Sequence, residues 1–451
     1  MVRASYEARA NGGLPDLDKW VADGQGNLNQ NLNQKYDSEH HFSIMTQHSQ
    51  ISMPKLHLNR IGQGRHFLQI PGPTNVPDRV LRAMDFPTID HRGPEFQQLG
   101  LRVLEAIKPV FGTINPVIIY PASGTGAWEA ALANVLSPGD TVLMAETGHF
   151  ATLWKNLALN LQLKPEFIEG NWRSGVNAKE IEARLTQDSD HKIKAVCVVH
   201  NETSTGVTTD IAAVRAAMDA ANHPALLMVD TISGLGSIEF KHDEWGIDVT
   251  ITGSQKGLML PPGLGFNALS EKAILASKHS KMPNAYWRWD EIIAANKNGF
   301  WPSTPATNLL YGLAEALDML NEEGLEQVYA RHQRHAEATR RAVRAWGLEI
   351  LCENESEYSP VLTAVVMPKQ ADGTHYNADE FRKLVLKRFN MSLGAGLNKL
   401  QGWVFRIGHL GDFNDLTLLG TLGGVEMGLA AAGIPHNRGG VQAAIDYLAQ
   451  A

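Results

Sequence analysis

A chain of 451 residues, 43% hydrophobic and 20% charged, has ordinary globular make-up and enough length for a large core and two domains. Its formal net charge of -8, with no dense basic run, excludes a nucleic-acid footprint. No apolar run of about 18 residues is present, so no membrane span is expected, and two distant cysteines, Cys197 and Cys352, make no disulfide framework and fit a reducing, cytoplasmic setting.

Residues 1–60 lack core-forming periodicity. They hold a polar near-repeat, Asn27-Leu28-Asn29-Gln30-Asn31-Leu32-Asn33-Gln34, and read as a disordered extension. Folded sequence begins near His66-Phe67-Leu68-Gln69-Ile70. Pro71-Gly72-Pro73-Thr74 follows, an extended, turning stretch with little entropy to lose. Helical patterns cover 77–84 and 95–111, with the polar turn Asp90-His91-Arg92-Gly93-Pro94 between them. From there strands alternate with helices. Strands are expected at 117–120, 141–145, 194–199, 225–229 and 249–252, and helices at 126–136, after Phe150 and at 210–221. Apolar strands joined through helices predict an open α/β sheet, mostly parallel, with ligands outside the strands' carboxyl ends.

After about residue 325 the pattern changes. A long amphipathic helix at 325–346 leads to strand-like runs at 348–351 and 361–366. A helix at 378–389, strands at 391–393 and 404–407 and a last helix at 415–430 complete the chain. The expected division is a large α/β domain over 61–324 and a smaller α+β domain over 325–451.

The chemistry gathers at the strand ends. Val249-Thr250-Ile251-Thr252 has the β-branched alternation of a short strand and breaks at Gly253 into Ser254-Gln255-Lys256. A lysine there, with apolar residues and two prolines behind it, is oddly placed for a solvated charge. Lysine forms Schiff bases with carbonyls, including the aldehyde of pyridoxal phosphate. A surface lysine at a strand end is the plain alternative. Upstream, Ala225-Leu226-Leu227-Met228-Val229-Asp230 is a buried-type strand ending in a carboxylate, which such a cofactor needs at its pyridine nitrogen.

Pro121-Ala122-Ser123-Gly124-Thr125-Gly126 lies between a strand and a helix, where small residues let N–H groups approach a phosphate. A purely structural turn would read the same. Phe150, in Gly148-His149-Phe150, suits stacking on a planar ring or core packing. Thr203, in Asn201-Glu202-Thr203-Ser204-Thr205-Gly206, suits a ring oxygen or a hydrogen-bonded turn. Together these fragments supply a phosphate cradle, a ring stack, a hydroxyl, an Asp and a Lys at successive strand ends. That is the set a pyridoxal phosphate site requires, and it needs no metal.

From about His66 onward the chain resembles the class V aminotransferases, and within them the serine–glyoxylate and alanine–glyoxylate enzymes. The matching runs are Pro71-Gly72-Pro73, Ser123 to Glu129, His200 to Val207, His223 to Asp230, Gly253-Ser254-Gln255-Lys256, Trp301-Pro302-Ser303-Thr304-Pro305 and Phe405-Arg406-Ile407-Gly408-His409-Leu410-Gly411. The resemblance implies a fold-type-I pyridoxal phosphate-dependent transferase. It implies transfer of an amino group from L-serine to glyoxylate, giving hydroxypyruvate and glycine, with alanine and aspartate as alternative donors.

It also implies roles. Lys256 would join the cofactor aldehyde and move the proton, and Asp230 would pair with the pyridinium nitrogen. Phe150 would cover the ring, and Thr203 would meet its phenolate oxygen. Ser123, Gly124, Thr125 and Gln255 would hold the phosphate. Thr304 would reach the phosphate of a second subunit, making a homodimer with shared sites. Arg406 would clamp the substrate carboxylate, a task for which its planar fork is suited. Two places depart from the family: Ser303 stands where many relatives have Tyr, and His91 precedes Arg92 where some have Tyr. Both lie near the family's substrate mouth, so His91 and Arg92 are candidate substrate contacts.

Two other classes compete. A cysteine desulfurase or lyase of the same fold needs a reactive cysteine on a mobile loop, whereas Cys197 lies in a strand and Cys352 closes a strand-like run. A non-enzymatic cofactor-binding regulator needs a nucleic-acid or partner module, and residues 1–60 show no such pattern.

Overall fold

The computed structural model describes residues 64–450. The extension expected over 1–60 lies outside the described residues.

Fourteen strands are present among the described residues: β1 (Phe67–Gln69), β2 (Val117–Ala122), β3 (Thr141–Ala145), β4 (Lys164–Ile168), β5 (Ile193–Val199), β6 (Asn201–Glu202), β7 (Val207–Thr208), β8 (Leu226–Asp230), β9 (Val249–Gly253), β10 (Gly263–Leu269), β11 (Glu349–Ile350), β12 (Leu362–Val366), β13 (Met391–Ala395) and β14 (Val404–Gly408). Seven form one sheet in the order β2-β10-β9-β8-β5-β3-β4. Only β10 runs against its neighbours in that sheet, so it is mostly parallel, as expected.

The side chains explain why this sheet needs cover on both faces. Leu227 and Val229 of β8 join the core on one side, while Leu226 and Met228 join the other. Val196 and Val198 of β5 divide from Ala195 and Cys197 in the same way. A strand apolar on both faces is stable only between two layers of helices, which is the α/β arrangement.

A second, five-stranded sheet has the order β1-β13-β14-β12-β11. Four of its strands come from the C-terminal part of the chain. The fifth, β1, comes from the N-terminal side and pairs parallel with β13. That pairing carries the chain straight into Pro71-Gly72-Pro73.

Most expected elements are present, with shifted ends. The helix expected over 95–111 is two pieces, Pro94–Ala106 and Lys108–Phe111. Pro109 has no N–H to offer and its ring crowds the carbonyl four residues back, so the regular ladder ends there. Gly112, with φ 64°, then turns the chain out of the helix.

Register brings the chemical residues to one edge. Asp230 ends β8 opposite Val199 of β5, and Ile251 of β9 lies on its other side. The loop after β9 holds Lys256. It is short because it joins β9 to its antiparallel neighbour β10, and Ser254 pins it with bonds to Leu264 and Pro261.

Candidate active site

Asp230 is 3% exposed and has two donors. Its Oδ1 accepts the Ile232 N–H at 2.7 Å and its Oδ2 accepts the Trp128 indole N–H at 3.1 Å. Burial pushes the carboxyl up to about 7. The charge of Glu202 pushes the same way, and the two hydrogen bonds and Lys256 oppose it.

Lys256 is also buried. Its Nζ donates to the Pro71 carbonyl at 2.7 Å, and Thr74 Oγ1 donates to its carbonyl at 3.2 Å. Pro71-Gly72-Pro73 is therefore the roof over the lysine. Gly72 has φ 97°, and a Cβ there would lie 2.3 Å from Lys256 Cδ, so both the turn and the close approach call for glycine. Burial, then the positive charge of Arg406, brings the Lys256 amine down to about 8, against a smaller pull from Asp230.

Helix Gly124–Val135 points its N-terminus into the same space. Ser123 is the N-cap and its hydroxyl accepts the Gly126 N–H at 3.4 Å. The other first-turn N–H groups have no acceptor within the helix. A Cβ on Gly124 would lie 2.4 Å from the tip of the Ile232 side chain, so any side chain here would have to push Ile232 aside. Ser123, Gly124, Thr125, Phe150, Thr203, Asp230, Gln255 and Lys256 all line one cavity of about 110 Å³.

Phe150 is held by its backbone. Helix His149–Asn160 begins against Glu202, a fully buried carboxylate that accepts the Ala151 N–H at 3.1 Å and the Phe150 N–H at 3.4 Å. Ser204 adds its N–H and hydroxyl to the same carboxylate at 3.0 and 2.7 Å. Thr203 turns its hydroxyl to Ser233 Oγ at 2.8 Å.

Arg406, on β14, is 7% exposed. Its Nε donates to the Ala395 carbonyl and one Nη1–H to the Thr203 carbonyl, both at 2.7 Å. Burial brings the guanidinium down to about 10. Anchored to Thr203, it stands one residue from the cavity wall.

Besides Arg406, three expected residues are not in this wall. Thr304 is exposed, Arg92 is exposed, His91 is half-buried, and none of them lines the cavity of its own chain. Three others were not singled out in the sequence: Trp128, Ser233 and Glu202. Trp128 and Glu202 lie within the matched runs, but no local pattern marks either as part of the site.

The donor set fits a flat cofactor with one anionic end. Backbone N–H groups at a helix N-terminus and the Ser123 and Thr125 hydroxyls suit a phosphate. The unpartnered amide oxygen of Gln255 leaves that side chain free to turn toward a ligand. Asp230 suits a protonated ring nitrogen and Lys256 an aldehyde. Both cysteines are buried, and burial pushes the Cys352 thiol up to about 11 and the Cys197 thiol further, away from the thiolate form a nucleophile needs.

The model of the family described as aminotransferase class-V matches residues 66–376. The chain is 47% identical over 390 residues to a serine–glyoxylate aminotransferase of Arabidopsis thaliana, covering 86% of this chain and 96% of the relative. It is 42% identical over 383 residues to an L-aspartate–glyoxylate aminotransferase of Paracoccus denitrificans, covering 84% and 96%. Among solved structures, the ureidoglycine–glyoxylate aminotransferase of Bacillus subtilis matches with a TM-score of 0.79 at 27% identity, covering 86% of this chain and all of that one.

Proposed function

We propose, for a chain that belongs to the class-V aminotransferase family, transfer of an amino group from L-serine to glyoxylate on pyridoxal 5'-phosphate, giving hydroxypyruvate and glycine. The observation that carries the reading is the meeting of Lys256, Asp230 and a helix N-terminus in one enclosed cavity, with Arg406 beside it. The choice of serine leans on relatives named for it at 45–48% identity.

When bound, pyridoxal phosphate supplies an aldehyde that takes up an amine and a ring that accepts the electron pair left on the α-carbon. Lys256 is the base. An amine near 8 is partly neutral at physiological pH, so its Nζ can take the α-proton and hand it back one position away. Asp230 would pair with the ring nitrogen, Phe150 would cover the ring and Thr203 would meet its oxygen. Ser123, Gly124, Thr125 and Gln255 hold the phosphate. Arg406 binds the carboxylate common to serine and glyoxylate. A second copy of the chain brings Thr304 to the phosphate, and His91 and Arg92 serve the substrate mouth. Domains over 61–324 and 325–451, and a cytoplasmic location, belong to the same reading.

Aspartate is the second donor to test, because the Paracoccus denitrificans relative is named for it and Arg92 offers a cation to a second carboxylate. The experiment is a donor and acceptor panel with purified protein and product identification. Serine and glyoxylate should give hydroxypyruvate and glycine. No amine transfer to glyoxylate from any donor would end the reading. Aspartate faster than serine by tenfold or more would end the choice of serine.

A further inference from the structure

We propose that Trp128 is a positioning residue for Asp230: its indole N–H fixes the carboxylate in place and keeps it the charged partner of a protonated ring nitrogen. This rests on the reading of the cavity as a pyridoxal phosphate site.

The geometry of donors carries it. Each oxygen of Asp230 meets one N–H, from Ile232 at 2.7 Å and from Trp128 at 3.1 Å. An amide N–H and an indole N–H can only donate. Both are satisfied by a carboxylate. A proton on either oxygen takes up acceptor capacity and offers a donor that neither can receive. One lone pair on each oxygen remains for the cavity. The charged neighbours do not settle the matter, because Glu202 on β6 favours the proton on Asp230 while Lys256 after β9 disfavours it. Ile232 contributes backbone, present whatever the side chain. Trp128 is the side chain whose hydrogen bond decides.

Trp128 is also built to stay still. It is 2% exposed and stands four residues after Gly124, on the helix face that meets the cavity. Its ring stacks on Trp154, with centroids 5.8 Å apart and 12° between the planes. Trp154 is also buried, but its indole N–H has no partner. The pair is therefore its own control. Phenylalanine at either position removes one indole N–H and similar ring area, but only at 128 does it remove a bond to Asp230.

The test is equilibrium dialysis of pyridoxal 5'-phosphate against apoprotein between about pH 6 and pH 9, around the carboxyl's value of about 7. Wild-type affinity should fall on the acid side of about pH 7, as Asp230 takes its proton. A lost hydrogen bond to a charged group shifts a pKa by about one to two units. Trp128→Phe should move that break up by about one to two pH units. Trp154→Phe should leave it where it is, whatever its effect on the melting temperature. If Trp128→Phe does not fold, Trp128→Leu is read in the same way. An unmoved break in the position-128 variant, or an equal movement in Trp154→Phe, overturns the proposal. Wild-type protein that binds no pyridoxal phosphate at any pH refutes the cofactor reading instead, so the two failures are distinct.

Discussion

Replacing Arg406 tests whether one side chain recognises both substrates. Its guanidinium has five N–H donors. The Ala395 carbonyl takes the Nε–H and the Thr203 carbonyl takes one Nη1–H. The side-on fork through Nε is thus closed, and the end-on fork through Nη1 and Nη2 is the one left for a carboxylate. At 7% exposure the pair would be shielded from water, so surface values for ion pairs do not apply. Truncating one partner of a buried, hydrogen-bonded charge pair costs about 2–5 kcal/mol. At about 1.36 kcal/mol per decade, Arg406→Ala should lose roughly 30- to 5000-fold in kcat/KM. Arg406→Lys keeps the charge but gives up the fork. Losing one hydrogen bond to a charged group, about 1.5–3 kcal/mol, gives roughly 10- to 150-fold. Steady-state rates measured separately against serine and against glyoxylate are the assay. Both substrates present the same carboxylate, so both values of kcat/KM should fall together. A loss confined to one substrate, or alanine and lysine variants that behave alike, would refute the clamp.

Lys256→Ala should lose the visible absorbance of bound cofactor and all amine transfer, and an active variant would remove the lysine from the chemistry. Asp230→Asn keeps the shape but not the charge, so activity should fall at least about 30-fold, the low end for unpairing a buried charge, with the fold intact by circular dichroism. Stability should depend on buried neutral histidines. His332 is held down to about 3 and His200 to about 4, chiefly by burial, below their ordinary 6.5. The unfolded chain therefore takes up protons that the fold refuses. This contribution is present above about pH 6.5 and is lost as pH falls through those lower values. His332 spends Nδ1 on the Val328 carbonyl and Nε2 on the Gly411 N–H, so only its neutral form fits. Urea midpoints should fall between pH 7 and pH 5, and His332→Gln should lessen the slope by up to about 1.4 kcal/mol per pH unit. An equal slope in the variant would count against it.

What the sequence made legible follows from where each signal lies along the chain. Parallel strands such as β8 and β9 announce themselves, because both faces are buried and their residues form unbroken apolar runs. β10 does not. Its residues Gly263, Gly265 and Asn267 read as loop, yet each answers a neighbour that is distant in sequence. A Cβ on Gly265 would lie 2.7 Å from the Ser123 carbonyl, and Asn267 accepts the Tyr120 hydroxyl at 3.1 Å and donates to the Ala127 carbonyl at 3.2 Å. Glycine in a strand there marks close backbone approach, not a break. β4 was missed for another reason. Pro165 argues against a strand, but β4 is at the edge of its sheet, where a missing N–H costs little.

The site divides along the same line. Lys256, Asp230, Ser123 and Thr203 sit at strand ends inside short motifs, so residue type and place were visible together. Glu202 carries no such local signal, because its four donors come from its own turn and from a helix about 50 residues earlier. Trp128 shows the limit most clearly. Its spacing from Gly124 is one helical turn, which puts it on the cavity face by local geometry alone. Its hydrogen bond to Asp230 spans 102 residues and exists only because β8 pairs beside β9, and β10 then joins β9 to β2, the strand that feeds Trp128's helix. Motif spacing can say that an indole faces the cavity. Sheet order decides which carboxylate it meets, and therefore whether that indole packs a core or holds a charge.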